Sequence, residues 1–183
     1  MTGLRLAVTP TEELTEEQFA ELDALCAAAF ERPFAEIWER VGPGVHVIGT
    51  VEGRAVAHAM IVDRPLYLGH EADQALDVGY VENVATLPEE QGNGYGVSVM
   101  REIDRLLDEE YALGALATGR NGFYEQLGWE TWRGPTWVRS ADGERLRSIE
   151  ADGQVMVLRT ARTPATLDTD GAIAVDWRPG APW

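Results

Sequence analysis

Apolar residues change their spacing several times along this chain, and each change predicts an element. Leu4, Leu6 and Val8 alternate with Arg5 and Ala7, the pattern of an edge strand. Thr15 and Gln18 have capping-box spacing, so a helix starts there, with Phe19, Leu22, Cys26 and Phe30 assigned to its apolar face. Beyond Arg32-Pro33 a shorter helix carries Phe34, Ile37, Trp38 and Val41 and stops at Gly42-Pro43-Gly44. Residues 45–51 and 55–62 are strand-like and flank Glu52-Gly53, a hairpin signal. A polar stretch with Gly69, His70, Glu71 and Asp73 leads into a strand from Leu76 to Ala85.

A helix then runs to about Glu110, with Val97, Met100, Ile103 and Leu107 on one face. Leu113 to Ala117 reads as a small-residue strand, and Gly122 to Leu127 as a short helix ending at Gly128. Trp129 to Val138 and Gln154 to Leu158 are late strands, set apart by turns at Asp142-Gly143 and Asp152-Gly153. The order β-α-α-β-β-β-α-β-α-β-β predicts an α/β (α+β) chain, with a mixed sheet flanked by helices in a single domain over residues 1–183.

Charge narrows the partners. With 31 acidic and 15 basic residues the net charge is −16, which opposes nucleic acid and favours cationic small molecules. Solubility alone accounts for such a surface equally well. No apolar run approaches the roughly 20 residues needed to span a bilayer, and Met1 to Arg5 lacks a signal-peptide pattern. Cys26 is the only cysteine, so a disulfide within the chain and a cysteine-rich metal site are both excluded. A cytoplasmic protein without a membrane partner is the expectation. His46 and His58 sit in strands and His70 in a loop, with no metal-ligand spacing, and no metal is expected.

The strongest chemical signal is Gln91-Gly92-Asn93-Gly94-Tyr95-Gly96, between a strand and a helix. Alternating glycines let backbone N–H groups converge on an anion, and the following helix adds its own unpaired N–H groups and positive dipole end. A phosphate-bearing ligand follows. A P-loop is excluded because no lysine closes the loop. A dinucleotide fingerprint is excluded because the spacing is G-x-G-x-G and Asp104 and Asp108 fall inside the next helix.

This loop resembles the Gln/Arg-x-x-Gly-x-Gly/Ala pyrophosphate loop of the GCN5-related N-acetyltransferases. Asn121 to Trp129 is similar to their second signature, an aromatic–Tyr pair shortly before Gly–aromatic. Longer segments (Gly79 to Glu82, Tyr111 to Leu116, Ser148 to Glu150 with Val155-Met156, and Asp176 to Trp183) resemble the aminoglycoside 2′-N-acetyltransferase family over nearly the whole chain. The resemblance implies that family's fold, a mixed and mostly antiparallel sheet. It also implies acetyl-CoA as co-substrate, an amino-sugar acceptor, antibiotic resistance as the role and a homodimer.

The same resemblance assigns roles. Gln91, Gly92, Asn93, Gly94, Tyr95 and Gly96 hold the CoA pyrophosphate, the strand backbone at Val84 and Ala85 meets the pantetheine arm, and Asn121 also serves the cofactor. Glu82 takes the amine proton through water, with the terminal carboxylate of Trp183 as a second base, and Tyr124 protonates the departing thiolate. Competing readings are a surface ion pair for Glu82, a core tyrosine for Tyr124 and a frayed tail for Trp183, although two tryptophans and two prolines in the last eight residues favour a docked end. Arg32, Phe34, Glu36, Glu82, Glu150, Asp152 and Trp183 are the acceptor-binding candidates.

The chain departs from the family at two aspartates that bind ammonium groups: Pro33 and Ala181 stand in their places. Losing two charge-assisted contacts, each worth about 1.5–3 kcal/mol, disfavours heavily aminated drugs. Kasugamycin, with fewer amines and a carboxylate that Arg32 or Arg120 would meet, suits the change. The alternatives are an acetyltransferase of the same fold acting on another small amine or a peptide N-terminus, and a non-catalytic aminoglycoside- or CoA-binding protein.

Overall fold

A computed structural model describes residues 3–69 and 74–183; the polar stretch read at His70, Glu71 and Asp73 lies outside the described residues. In chain order the elements are strand β1 (Arg5–Pro10), helices α1 (Glu16–Phe30) and α2 (Ala35–Val41), and strands β2 (Val45–Val51), β3 (Arg54–Asp63), β4 (Leu66–Leu68), β5 (Gln74–Leu76) and β6 (Val78–Thr86). Helix α3 (Tyr95–Glu110), strand β7 (Leu113–Ala117), helix α4 (Asn121–Glu125) and strands β8 (Glu130–Thr131), β9 (Thr136–Arg139), β10 (Arg145–Arg147), β11 (Val155–Arg159) and β12 (Ile173–Asp176) complete it. This is an α+β chain with mostly antiparallel sheets flanked by helices. It divides into two compact units, residues 1–62 with 81–105 and residues 63–80 with 106–183.

In the first unit the strand order is β1-β2-β3-β6, with β1–β2 and β2–β3 antiparallel. Glu52 and Gly53 both take positive φ, 51° and 83°, the type I′ geometry whose twist matches a two-residue hairpin. The Thr15–Gln18 capping box forms as the spacing predicts, and such a cap is worth about 1 kcal/mol. The apolar face of α1 is rotated from the expected one. Leu22, Leu25 and Cys26 are buried, whereas Phe19 and Phe30 remain 36% and 40% exposed. The two phenylalanines sit near the helix ends, where Phe19 meets Trp38 at 5.3 Å and Phe30 stacks on Phe34 at 5.1 Å. On α3, Val99, Met100 and Ile103 are fully buried; burying each such side chain is worth roughly 1.5–3 kcal/mol.

In the second unit the start of β6 pairs in parallel with β7 at Val78–Tyr80, and β11 lies antiparallel to both β7 and β8. A separate sheet has the order β10-β9-β12-β4-β5, in which only β12–β9 is parallel among the described pairs. The expected strand from Trp129 to Val138 is two strands, β8 and β9, belonging to different sheets. Gly134-Pro135 separates them, and proline cannot donate to a ladder. Strands β4, β5, β10 and β12 span only 3, 3, 3 and 4 residues, too short for a period to show in the sequence.

Candidate active site

The glycine loop emerges from the end of β6 in the first unit. Pro88 to Glu90 form a single 3-10 turn, after which Gly92 and Gly94 take φ values of 85° and 81°. An ideal Cβ at either glycine would touch nothing within 4 Å, so the backbone conformation, not crowding, requires glycine there. The Gly94 carbonyl accepts the first bonds of α3, from the Ser98 N–H at 3.0 Å and the Ser98 hydroxyl at 3.2 Å. The amides of the preceding turn then have no partner within the helix, as at every helix start. The loop is exposed from Gln91 to Gly94, and no acidic residue occupies the first turn of α3. Asn93 is tied to Glu90 at 3.0 Å, and Gln91 reaches back to the Thr86 carbonyl at 3.5 Å. These features fit a pyrophosphate held by main-chain N–H groups at a positive helix end.

Upstream, β6 carries Glu82, Asn83, Val84 and Ala85. Glu82 and Val84 are half-buried, whereas Asn83 and Ala85 are buried. Asn83 has φ 55°, a left-handed residue inside a strand, which re-aims the peptide groups on either side. Its carbonyl is 2.9 Å from Nδ1 of His58 on β3. Nε2 of His58 is in turn 2.9 Å from Nδ1 of His46 on β2, and Nε2 of His46 is 2.9 Å from the Thr11 hydroxyl. Both imidazoles are buried, at 1% and 0% exposure. Burial pushes His46 down to about 4; burial, with His46 adding to it, pushes His58 down to about 3. Both rings are therefore neutral near pH 7.

In the second unit, Tyr124 lies on α4. Its ring is buried against Phe123 and Trp129, edge-on at 5.0 and 6.0 Å, and its carbonyl accepts the Trp129 N–H at 3.1 Å. Burial pushes the phenol up to about 12, against a smaller pull downward from Arg120. Asn121 donates to the Thr131 hydroxyl at 3.0 Å and the Gly153 carbonyl at 2.9 Å, fastening the start of α4. Asp152 receives two bonds from Arg147, at 2.9 and 2.6 Å, and two from Thr136, at 3.0 and 2.8 Å. The Arg147 bonds lead in holding its carboxyl well below the usual range. Asp152 thus braces its own segment, and this partnership leaves less of its charge for an acceptor amine. Glu150 is exposed and accepts from the Ser148 hydroxyl at 3.0 Å. Trp183 is half-buried, and its Nε1 lies buried without a hydrogen-bond partner among the described residues.

Residues 10–132 match the family model for the acetyltransferase (GNAT) domain. The chain belongs to the GNAT family. It is 35% identical over 178 residues to the aminoglycoside 2′-N-acetyltransferase of Mycolicibacterium fortuitum, covering 94% of this chain and 89% of that protein. Its fold is similar to that of the GNAT N-acetyltransferase YhbS from Escherichia coli, solved in complex with CoA, with a TM-score of 0.62 at 17% identity, covering 94% of this chain and 91% of that one. A GNAT protein from Kribbella flavida superposes with a TM-score of 0.58 at 22% identity over 73% of this chain, which spans only 34% of that longer protein. The protein is an acetyl-CoA-dependent N-acetyltransferase.

The remaining carried-over positions of this GNAT chain fall into two groups. Arg32 and Glu36 are exposed, with the Arg32 guanidinium 5.9 Å above the Phe30 ring. Phe34 is a core residue at 2% exposure, held between Phe30 and Trp38 at 5.1 and 5.3 Å. Cys26 is fully buried and its thiol is pushed up to about 12, chiefly by burial, so it offers no thiolate. Among the described residues no group of three or more His, Cys, Asp or Glu is arranged to hold a metal. None of the described helices is long and apolar enough to cross a membrane.

The sequence did not reveal the Thr11–His46–His58–Asn83 chain. One local cue existed, since asparagine in the middle of a strand is among the few residues that accept a left-handed conformation.

Proposed function

We propose that this GNAT enzyme transfers acetyl from acetyl-CoA to an amine of an aminoglycoside antibiotic, as a cytoplasmic homodimer. The observation that carries the acceptor class is the 35% identity, across 94% of the chain, to an aminoglycoside 2′-N-acetyltransferase. Acetyl-CoA supplies an acetyl group activated as a thioester. The main-chain N–H groups from Gly92 to Gly96 and the start of α3 bind its pyrophosphate, and the β6 backbone at Val84 and Ala85 lines up the pantetheine arm.

Glu82, directly or through water, accepts the proton that the acceptor amine loses as its nitrogen bonds to the acetyl carbon. The Val84 N–H donates to the carbonyl oxygen as negative charge gathers there. Tyr124 gives its phenolic proton to the sulfur as the C–S bond breaks. Its high pKa keeps the phenol protonated at neutral pH, ready as a donor. Direct attack is favoured over an acyl-enzyme because the lone thiol, Cys26, is buried and protonated.

Pro33 and Ala181 refine the acceptor. Without the two aspartates expected there, an aminoglycoside with few amines and a carboxylate, kasugamycin, becomes a favoured substrate, with exposed Arg32 or Arg120 meeting the acid. A thiol-release assay with acetyl-CoA across an aminoglycoside panel that includes kasugamycin tests both levels. Turnover of any member supports the class. Turnover of gentamicin-type drugs equal to or above that of kasugamycin removes the refinement. Tight binding of an antibiotic without thiol release would favour a sequestering protein.

A further inference from the structure

The buried histidine pair ends on one peptide group, and that peptide group has two ends. The Asn83 carbonyl and the Val84 N–H belong to the same planar trans unit and point in opposite directions. Whatever holds the carbonyl therefore aims the N–H. The Asn83 carbonyl can only accept, so the His58 ring must carry its proton on Nδ1 at 2.9 Å. Its Nε2 is then an acceptor, which requires His46 to be protonated on Nδ1, 2.9 Å away. Nε2 of His46 is then an acceptor 2.9 Å from the Thr11 hydroxyl, whose one proton also has the Gly44 carbonyl within reach at 3.0 Å. The Thr11 oxygen also receives the Gly44 N–H at 2.9 Å, which fixes it to the start of β2. Each link determines the tautomer of the next.

We infer that His58, oriented by His46 and Thr11, is a positioning residue for acetyl transfer: by gripping the Asn83 carbonyl it fixes and polarises the Asn83–Val84 peptide, so that the Val84 N–H points at the thioester carbonyl oxygen. This rests on the role given to the Val84 N–H above. Three observations support it. Asn83 is left-handed within a strand, a conformation that needs external support. Asn83 is also clamped through its side chain, with Nδ2 donating to Met60 Sδ at 3.5 Å. The imidazoles face an aromatic wall, Trp38, at 6.0 and 5.7 Å and the Cys26 sulfur at 3.9 Å from His58 Nδ1. Burial keeps both rings neutral, so the chain is a set of fixed dipoles and not a charge. Polarisation along such a chain strengthens the N–H at its far end.

The test uses the full-length protein with acetyl-CoA and its best acceptor, comparing His58→Leu, which removes the donor, with His58→Asn, whose amide nitrogen replaces Nδ1. The expected result is a kcat lowered at least about tenfold in His58→Leu, short of the full 100- to 1,000-fold loss typical of removing a donor, because the N–H is misaimed and not absent. Acetyl-CoA affinity should stay within about twofold, and His58→Asn should recover most of the lost rate. An unchanged kcat in His58→Leu, or equal loss in both variants, overturns the inference.

Two spectroscopic readouts stand apart from turnover. In the wild-type protein, ¹⁵N-labelled His46 and His58 should both report Nδ1–H tautomers, and the Val84 amide resonance should move in His58→Leu and return in His58→Asn. His58 protonated on Nε2, or a Val84 amide that does not move, would overturn it even if His58→Leu folds poorly. Absence of thiol release from the wild type with every acceptor would instead remove the proposed function and leave the spectroscopic result to stand.

Discussion

His46 and His58 meet in the core of the first unit, with Nδ1 of one 2.9 Å from Nε2 of the other, and both lie at or below 1% exposure. Burial depresses their pKa values to about 4 and about 3, below the ordinary value near 6.5. The unfolded chain therefore binds more protons than the folded one once the pH drops below about 6.5. Their contribution is complete above that value and is lost as the pH falls through the folded values. Unfolding free energy should decline from pH 6.5 toward pH 4, by up to about 1.4 kcal/mol per pH unit for each histidine. Asp152, whose carboxyl is held low, adds its loss only in more acidic solution. Urea titrations at half-unit pH steps measure the slope, and a flat profile from pH 6.5 to 4.5 would contradict two buried neutral imidazoles.

Tyr124→Phe separates chemistry from binding. The ring's edge contacts with Phe123 and Trp129 survive the change, and only the phenolic O–H is removed. If Tyr124 is the acid, kcat should fall about 100-fold or more, the usual worth of such a group, with acetyl-CoA affinity nearly unchanged. Because its phenol titrates only near 12, loss of that proton should not limit the wild-type rate below about pH 10. Stopped-flow thiol release against pH checks both statements.

Gly94→Ala probes the anion cradle. With φ at 81° and nothing within 4 Å of the added Cβ, the cost is conformational, about 1–2 kcal/mol for a left-handed alanine. If the loop must hold this shape to bind pyrophosphate, the acetyl-CoA dissociation constant should rise about tenfold, by titration calorimetry, with the maximal rate little changed. An unaltered affinity would place the pyrophosphate elsewhere.

Asp152→Asn distinguishes a brace from an acceptor contact. The change removes the ionic pairing with Arg147 and weakens the bonds to Thr136. The pair is about one-third exposed on each side, so solvent screening limits the loss to about 1–2 kcal/mol of stability. The acceptor KM should be unchanged. A raised KM at unchanged stability would return Asp152 to the substrate site.

Cys26→Ala should leave turnover within about twofold, since a buried thiol pushed up to about 12 has no catalytic thiolate. Intact protein should also resist thiol reagents until it is unfolded, which mass spectrometry of labelled protein would show. Loss of activity despite retained folding would reopen an acyl-enzyme route.

What the sequence determined by itself was local. The Thr15–Gln18 cap, the Glu52–Gly53 turn and the left-handed glycines at 92 and 94 depend on neighbours within a few residues, and the structure has each where the spacing puts it. The glycine loop and the α4 segment likewise sufficed to point to the GNAT family, because main-chain anion binding leaves its mark in glycines. Packing decided the rest. Phe34 packs between Phe30 and Trp38, and Asp152 is tied to Arg147, through partners that no spacing rule reveals. The histidine pair shows the reason most clearly. Counted back from the Glu52–Gly53 turn, an unbroken ladder would set His58 opposite Val47, on the face away from His46. The irregularity at Gly49/Thr50 shifts the register by one, pairs His58 with Ile48 and His46 with Met60, and brings both rings to one face. Side chains alternate with a period of two, so a single inserted residue inverts a face. Whether a strand carries that extra residue is settled by what packs on it, not by the chain read alone.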